Sequence, residues 1–295
     1  MTASGFARRL AEERPPADGL LVFALGQAGF ALRGASALVL IDPWLSTALE
    51  EAEGIARPVP PALRPDQVEG ADLVCITHEH ADHLDPVALA AIAERLPEAA
   101  EGDAAKRRGS ASFLAPRPAV ALVEAAGVPG ERILAALPGE TVEAAGARIT
   151  AVPAAHELMT DAFGGYRFWL DEQGDHRCLG YLIELDGRRV FHAGDTIWWP
   201  GLERAIRELA PELAILPING RDAMREAAGL WGNLSAPEAA ALAGAAGVPR
   251  VIPCHFDGVV GNLGDPSAFL RELADRAPGV DGHVLHAGDA FVLQP

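Results

Sequence analysis

The order of elements along this chain predicts an α/β protein in which β-sheets pack together and helices cover them on the outside. Three observations carry that prediction. Short apolar runs of strand length are bounded by glycine and by Asp-Pro or Asp-Gly pairs, as at Asp42-Pro43 and Asp186-Gly187. Such strands open each half of the chain, and helical patterns follow them. Residues competent to bind metals stand just past the C-terminal ends of several strands, which is where α/β proteins commonly assemble a site.

Leu20 to Leu25 and Ala37 to Ile41 are apolar runs turned by Gly26-Gln27-Ala28-Gly29-Phe30, and predict a hairpin or meander of buried strands. Residues 50–69 are proline-rich and aperiodic, which predicts a surface loop. Ala71 to Thr77 is a strand. Asp85-Pro86 opens a helix to about Arg95, with Asp85 as its cap and proline at a position that loses no hydrogen bond. Glu98 to Ser110 is charged and glycine-punctuated, and is expected to be exposed. Ser112 to Leu114 and Ile133 to Leu137 are strands flanking a helix from Pro118 to Ala126. Thr141 to Ala144 and Arg148 to Pro153 form a strand pair around Gly146. Leu158 to Gly174 is irregular and carries Phe163, Tyr166, Phe168 and Trp169. Strands follow at Leu179 to Leu185, Arg189 to His192, Leu213 to Pro217 and Arg250 to Pro253. Helices follow at Leu202 to Leu209, Pro237 to Ala246 and Pro266 to Arg276. The last strands are His283 to Leu285 and Ala290 to Leu293.

Composition bounds the function. The 295 residues suffice for one large catalytic domain or two small ones. We expect a short extension over 1–19 and a single domain over 20–295. Asp and Glu number 41 against 24 Lys and Arg, a formal charge of -17. Such a surface repels nucleic acid and anionic lipid, so neither is expected as a partner. It also slows an anionic substrate, unless bound metal ions reverse the sign locally. Cys75, Cys178 and Cys254 are odd in number and show no CxxC spacing, which favours reduced thiols over a disulfide scaffold. Residues 1–16 hold no apolar run of signal-peptide length, and no stretch approaches 18 uncharged apolar residues. The expectation is a cytoplasmic protein acting on a small molecule, with a homo-oligomer left open.

The most informative segment is Thr77-His78-Glu79-His80-Ala81-Asp82-His83-Leu84-Asp85. Three imidazoles and two carboxylates, those of Glu79 and Asp82, fall within six residues at a strand end, and the whole chain has nine histidines. Imidazole and carboxylate suit zinc, manganese and iron. The spacing is not that of an HExxH helix. His156, Asp195 and His255 each stand just past a later strand. Gly26-x-x-Gly29 lacks the third glycine of a dinucleotide fingerprint, and no GxSxG is present.

The pattern His78, His80, Asp82, His83 resembles the HxHxDH signature of the metallo-β-lactamase superfamily, and the remaining candidates follow in that family's chain order over roughly 20–293. The resemblance implies an αββα four-layer sandwich. It implies that His78, His80 and His156 hold one metal, and that Asp82, His83 and His255 hold a second. Asp195 would bridge two divalent ions, Zn2+ or Mn2+, with a shared water or hydroxide as the nucleophile. Asp82 and Asp195 would then take part directly in catalysis. Asp42, in Leu40-Ile41-Asp42-Pro43, would support the ligands without being one. His-Ala-Gly-Asp occurs twice, and the family order selects Asp195 as the ligand. Asp289 is expected to serve a tight hairpin turn, and His192 and His286 to be core or supporting residues.

Within the superfamily the chain looks closest to the ascorbate-6-phosphate lactonase-like branch. Leu25-Gly26-Gln27-Ala28-Gly29-Phe30, Gly194-Asp195-Thr196 and Pro253-Cys254-His255-Phe256-Asp257 carry that likeness. It implies hydrolysis of a lactone or phosphorylated small molecule. Alternatives are a phosphodiesterase or phospholipase D-like activity, or a metal-binding sensor without catalysis. Substrate walls are expected from Trp198, Trp199, Arg221 and Asn233, with Trp44, Tyr166, Asp222 and Trp231 as further candidates. Arg221 could bind a phosphate or carboxylate, or form an ion pair with Asp222 or another acid.

Overall fold

In the computed structural model, residues 2–95, 112–156 and 166–295 are described. The expected exposed stretch from Glu98 to Ser110, and Phe163, lie outside them.

Two seven-stranded sheets face each other. The first contains β1 (Leu20–Gly26), β2 (Gly29–Arg33), β3 (Leu38–Ile41), β4 (Leu73–Cys75), β5 (Ser112–Pro116), β6 (Ile133–Ala136) and β14 (Ala290–Leu293), in the order β14-β1-β2-β3-β4-β5-β6. The second contains β7 (Thr141–Ala144), β8 (Ala147–Pro153), β9 (Leu179–Leu185), β10 (Arg188–His192), β11 (Leu213–Pro217), β12 (Arg250–Cys254) and β13 (Asp281–Gly282), in the order β13-β12-β11-β10-β9-β8-β7.

Strand periodicity assigns each side chain to a layer. Leu20, Val22 and Ala24 of β1 join Val39 and Ile41 of β3 in the core between the sheets, with Tyr181 and Ile183 opposite. The intervening Leu21, Phe23 and Leu25, with Leu38 and Leu40, face outward. There they meet α1 (Ala3–Glu12), α3 (Pro86–Glu94) and α4 (Val120–Ala125). Helices α5 (Leu202–Leu209), α7 (Ala236–Ala246) and α8 (Pro266–Arg276) cover the second sheet through Ile206, Leu242 and Phe269. Three apolar clusters thus separate four layers, the αββα sandwich. Strands buried on both faces read as continuous apolar runs, not alternating ones.

The opening residues form a helix docked on the first sheet. Thr2 caps α1 by accepting from Gly5 N–H, Phe6 meets Phe23 edge-on at 5.8 Å, and Arg33 donates to Leu10 O at 2.8 Å.

Four features differ from expectation. The Gly29–Arg33 segment is a strand, not a turn, and its Arg33 finds carbonyls at the end of α1. The supposed loop 50–69 begins with α2 (Ala48–Glu53), ended by Gly54 at φ 67°. Neighbouring prolines mask that short helix in the sequence. A further short helix, α6 (Ala223–Ala227), is capped by Asp222. The second His-Ala-Gly-Asp is not in a hairpin. β13 belongs to the second sheet and β14 to the first, so the turn at Gly288 (φ 94°) lies where the chain crosses between them. His283 to Leu285 is therefore not a strand, although His283 N–H still donates to Val251 O.

Candidate metal centre

β4 of one sheet and β8, β10 and β12 of the other end at the same rim. The residues after each end are His78 to His83, His156, Asp195 and His255. Each backbone must turn sharply to aim its side chain inward. Gly194 does so at φ 62°, where a Cβ would lie 2.6 Å from Leu179 O. His255 and Asp42 adopt left-handed backbone without being glycine, at φ 56° and 44°. Such strain persists where the surroundings hold it, commonly at functional sites.

Three overlapping groups of metal-competent atoms result: His78, His80 and His156; His78, His83 and Asp195; and Asp82, His83 and His255. Within each, the candidate atoms lie within 4.8 Å of one another. His78 Nε2 is 3.0 Å from His80 Nδ1, which is 3.3 Å from His156 Nε2. Burial lowers the pKa of all three, bringing His156 down to about 3. Neutral imidazoles with lone pairs turned on one another suit a cation between them.

The second group is built around carboxylates. His255 Nε2 lies 3.1 Å from Asp195 Oδ2 and 3.3 Å from Asp82 Oδ2. Asp195 Oδ1 is 3.4 Å from His83 Nε2, and its Oδ2 is 3.5 Å from His156 Nε2, so this carboxylate lies between the groups. Burial opposes charge on every member. For His83 and His255 the charges of Asp195 and Asp82 outweigh it, raising both, His255 to about 9. For Asp82 and Asp195 the two histidines outweigh it and hold the carboxyls well below the usual range. A divalent cation would take the place of those histidine protons.

Support comes from Asp42. It accepts from Thr77 N–H at 2.8 Å and Thr77 Oγ1 at 2.6 Å, and lies 2.7 Å from His83 Nδ1. Because the carboxylate accepts there, the His83 proton sits on Nδ1 and Nε2 points into the site. His83 Nε2 and Asp195 Oδ1 are buried and face each other at 3.4 Å, and neither makes a well-formed hydrogen bond. Buried polar atoms are rarely left so. Two such donor atoms among converging imidazoles and carboxylates are what a pair of divalent ions would satisfy.

Glu79 is turned away into an ion pair with Arg177 at 2.7 Å, and Asp85 accepts from Val87, Ala88, Leu45 and Ser46, capping α3. His192 is a core residue, its Nε2 2.9 Å from Ala28 O. Asp289 is exposed and accepts from His286 N–H at 3.0 Å.

Gln27 is a site residue that the sequence does not assign, although it lies in the Leu25-to-Phe30 segment that carries the family likeness. It is 5% exposed and sits at φ 54° in the β1–β2 turn. Its Nε2 donates to Asp82 Oδ2 at 2.9 Å and lies 3.1 Å from His255 Nε2, while its Oε1 accepts from Gly258 N–H. Only the tertiary turn brings it there.

The cleft above the cluster has a volume of about 230 Å³, and its described lining includes Leu49, Ile55, Leu230, Trp231 and Val259. Of the expected wall residues, Trp231 lies there, but Trp198, Trp199, Arg221 and Asn233 do not. The chain after Asp195 runs down toward α5, so Trp198 and Trp199 pack into the outer core, Trp199 edge-on to Phe168 at 5.3 Å. Arg221 forms a paired contact with Glu238 at 2.8 Å and donates to Asn233 O. Asn233 is fully buried and donates to Asn219 at 3.1 Å.

Comparison with known proteins agrees with this geometry. Residues 38–256 match the family described as the Beta-lactamase superfamily domain. A UPF0173 metal-dependent hydrolase of Thermococcus onnurineus is 33% identical over 91% of this chain and 97% of its own length. A metallo hydrolase of Ignicoccus hospitalis superposes with TM-score 0.60 at 23% identity, covering 94% of this chain and 99% of that one. An isothiocyanate hydrolase from Delia radicum gut bacteria superposes with TM-score 0.65 at 18% identity, covering 93% and 100%. These structural likenesses bear on the fold and leave the reaction to the site itself.

Proposed function

Because this chain belongs to the metallo-β-lactamase superfamily, we propose that it is a metal-dependent hydrolase whose rim cluster opens a lactone. The carrying observation is the pair of ligand groups joined through Asp195, with His83 Nε2 and Asp195 Oδ1 left without a well-formed hydrogen bond. His78, His80 and His156 would hold one ion, Asp82, His83 and His255 the other, and Asp195 both. Nitrogen and carboxylate donors accommodate Zn2+ or Mn2+. Bound divalent ions would supply Lewis acidity, bringing the pKa of water to near 7 and polarising the acyl oxygen.

The remaining work falls to the chain. Asp42 keeps the proton of His83 on Nδ1, so that Nε2 is the donor presented to the site. Gln27 orients Asp82 by donating to one of its oxygens.

The test is metal analysis alongside turnover of a lactone panel by protein reconstituted with zinc or manganese. We expect two equivalents of metal per chain, turnover abolished by chelation, and recovery on restoring metal. Two bound equivalents with no turnover of any lactone would overturn the lactone reading.

A further inference from the structure

The cleft describes its substrate by the groups it offers. The ring centre of Trp231 is 4.9 Å from that of His80 and 5.3 Å from that of His156. Trp169 stands 4.8 Å from Trp231 and 5.4 Å from His80. Trp231 therefore lines the cleft as an aromatic wall beside the three-histidine group, and Trp169 packs against Trp231 and His80 without lining the cleft. The described lining also includes the aliphatic side chains of Leu49, Ile55 and Val259.

Outside the ligand cluster, the charge in the cleft's described lining has one sign: the lining includes Glu53 and holds no arginine or lysine. Four of the arginines around the rim are already engaged. Arg57 lies over the Trp44 ring and pairs with Glu50 at 3.2 Å, while donating to Trp44 O and Ser46 O. Arg177 is held by Glu79 and Arg221 by Glu238. Arg225 is held by Asp222 and by Asn219 O. Away from the metal centre, a phosphate on the substrate would find no bidentate side-chain partner in this described lining and would face Glu53 and a chain of net charge -17.

Resting on the hydrolase reading, we propose that the substrate is an uncharged lactone whose apolar arm lies against Trp231, not a phosphorylated one. In the reaction the oxygen of water bonds to the acyl carbon and the ring C–O bond breaks. One water proton passes to the leaving alkoxide oxygen and the other to solvent, giving a hydroxycarboxylate.

The experiment compares two γ-lactones on the metal-loaded protein, one bearing a phenyl group and one bearing a phosphorylated side chain. The phenyl lactone should have kcat/KM at least ~100-fold higher, the preference expected when one arm is buried on an aromatic wall and the other is an unpaired charge. Trp231→Ala should raise its KM about tenfold with metal content unchanged, while Trp231→Phe keeps most of the affinity. Binding of the phenyl-substituted cyclic ether, which cannot be hydrolysed, should quench tryptophan fluorescence in the wild type and much less in Trp231→Phe. The phosphorylated ether should not quench. Equal or better turnover of the phosphorylated lactone overturns the proposal and leaves the hydrolase reading standing. Quenching by the phenyl ether without turnover of either lactone supports the pocket assignment and overturns the lactone reading. An exposed arginine on the approach to Trp169, Arg167, supplies a further check. A phosphate preference lost in Arg167→Ala would place a cation in the pocket and overturn the proposal.

Discussion

Asp195 and Asp289 end identical His-Ala-Gly-Asp tetrapeptides, yet one is buried among histidines and the other is exposed at a turn. Their substitution separates site from scaffold. Asp195→Ala removes the carboxylate between the two groups, so at least one equivalent of metal should be lost and turnover should fall by several orders of magnitude. Asp289→Ala should leave both nearly intact and cost at most about 1 kcal/mol through its hydrogen bond to His286. Metal analysis and turnover on the two variants decide; loss of metal only in Asp289→Ala would reverse the assignment. Gln27 offers a subtler case. Gln27→Ala frees Asp82 from its donor and should weaken metal binding about 10- to 100-fold, the usual cost of losing a partner behind a ligand. A competition titration with a chromogenic chelator measures it, and an unchanged affinity would remove Gln27 from the site.

At the scale of elements, sequence and structure agree where pattern and packing coincide. Leu213–Pro217, Pro266–Arg276 and Ala290–Leu293 follow directly from apolar runs and caps. Metal-competent residues just past the strand ends are legible in the same way, whereas their division between two ions is what the resemblance to the metallo-β-lactamase signature implies. What could not be read depends on partners distant in sequence. β2 ends in Arg33, a charge that looks out of place in a strand until α1 supplies its acceptors. Trp198 and Trp199 adjoin a ligand in sequence but lead into α5 and pack in the outer core, whereas Trp231, one of the further wall candidates, reaches the rim. Arg221 illustrates the same point, since its acid is Glu238 on α7 and not the adjacent Asp222. Arg221→Ala should therefore leave KM unchanged and lower stability by about 1 kcal/mol or less, the pair being partly exposed. A clear rise in KM would return it to the pocket. Ser235→Ala, which removes the capping box with Glu238, should cost about 1 kcal/mol in denaturant melts without changing metal content.

For the molecule as a whole, the thiols give a direct check on packing. Cys75, Cys178 and Cys254 are free and buried, and burial pushes all three thiols up. The native protein should react sluggishly with a thiol reagent, while the unfolded, unreduced chain should titrate three groups. Fast reaction of the native protein would contradict the packing of both sheets. Among the described residues no helix is long and apolar enough to cross a membrane. The pairing of β14 with β1 has its own consequence, for how the protein comes into being. Leu20 is registered with Leu293, so the first strand made must wait for almost the entire chain before its outer neighbour exists. During synthesis β1 is a bare hydrogen-bonding edge, open to wrong partners. A nascent chain stalled before residue 290 should therefore be prone to clumping and readily digested, and release of the final strand should end that vulnerability.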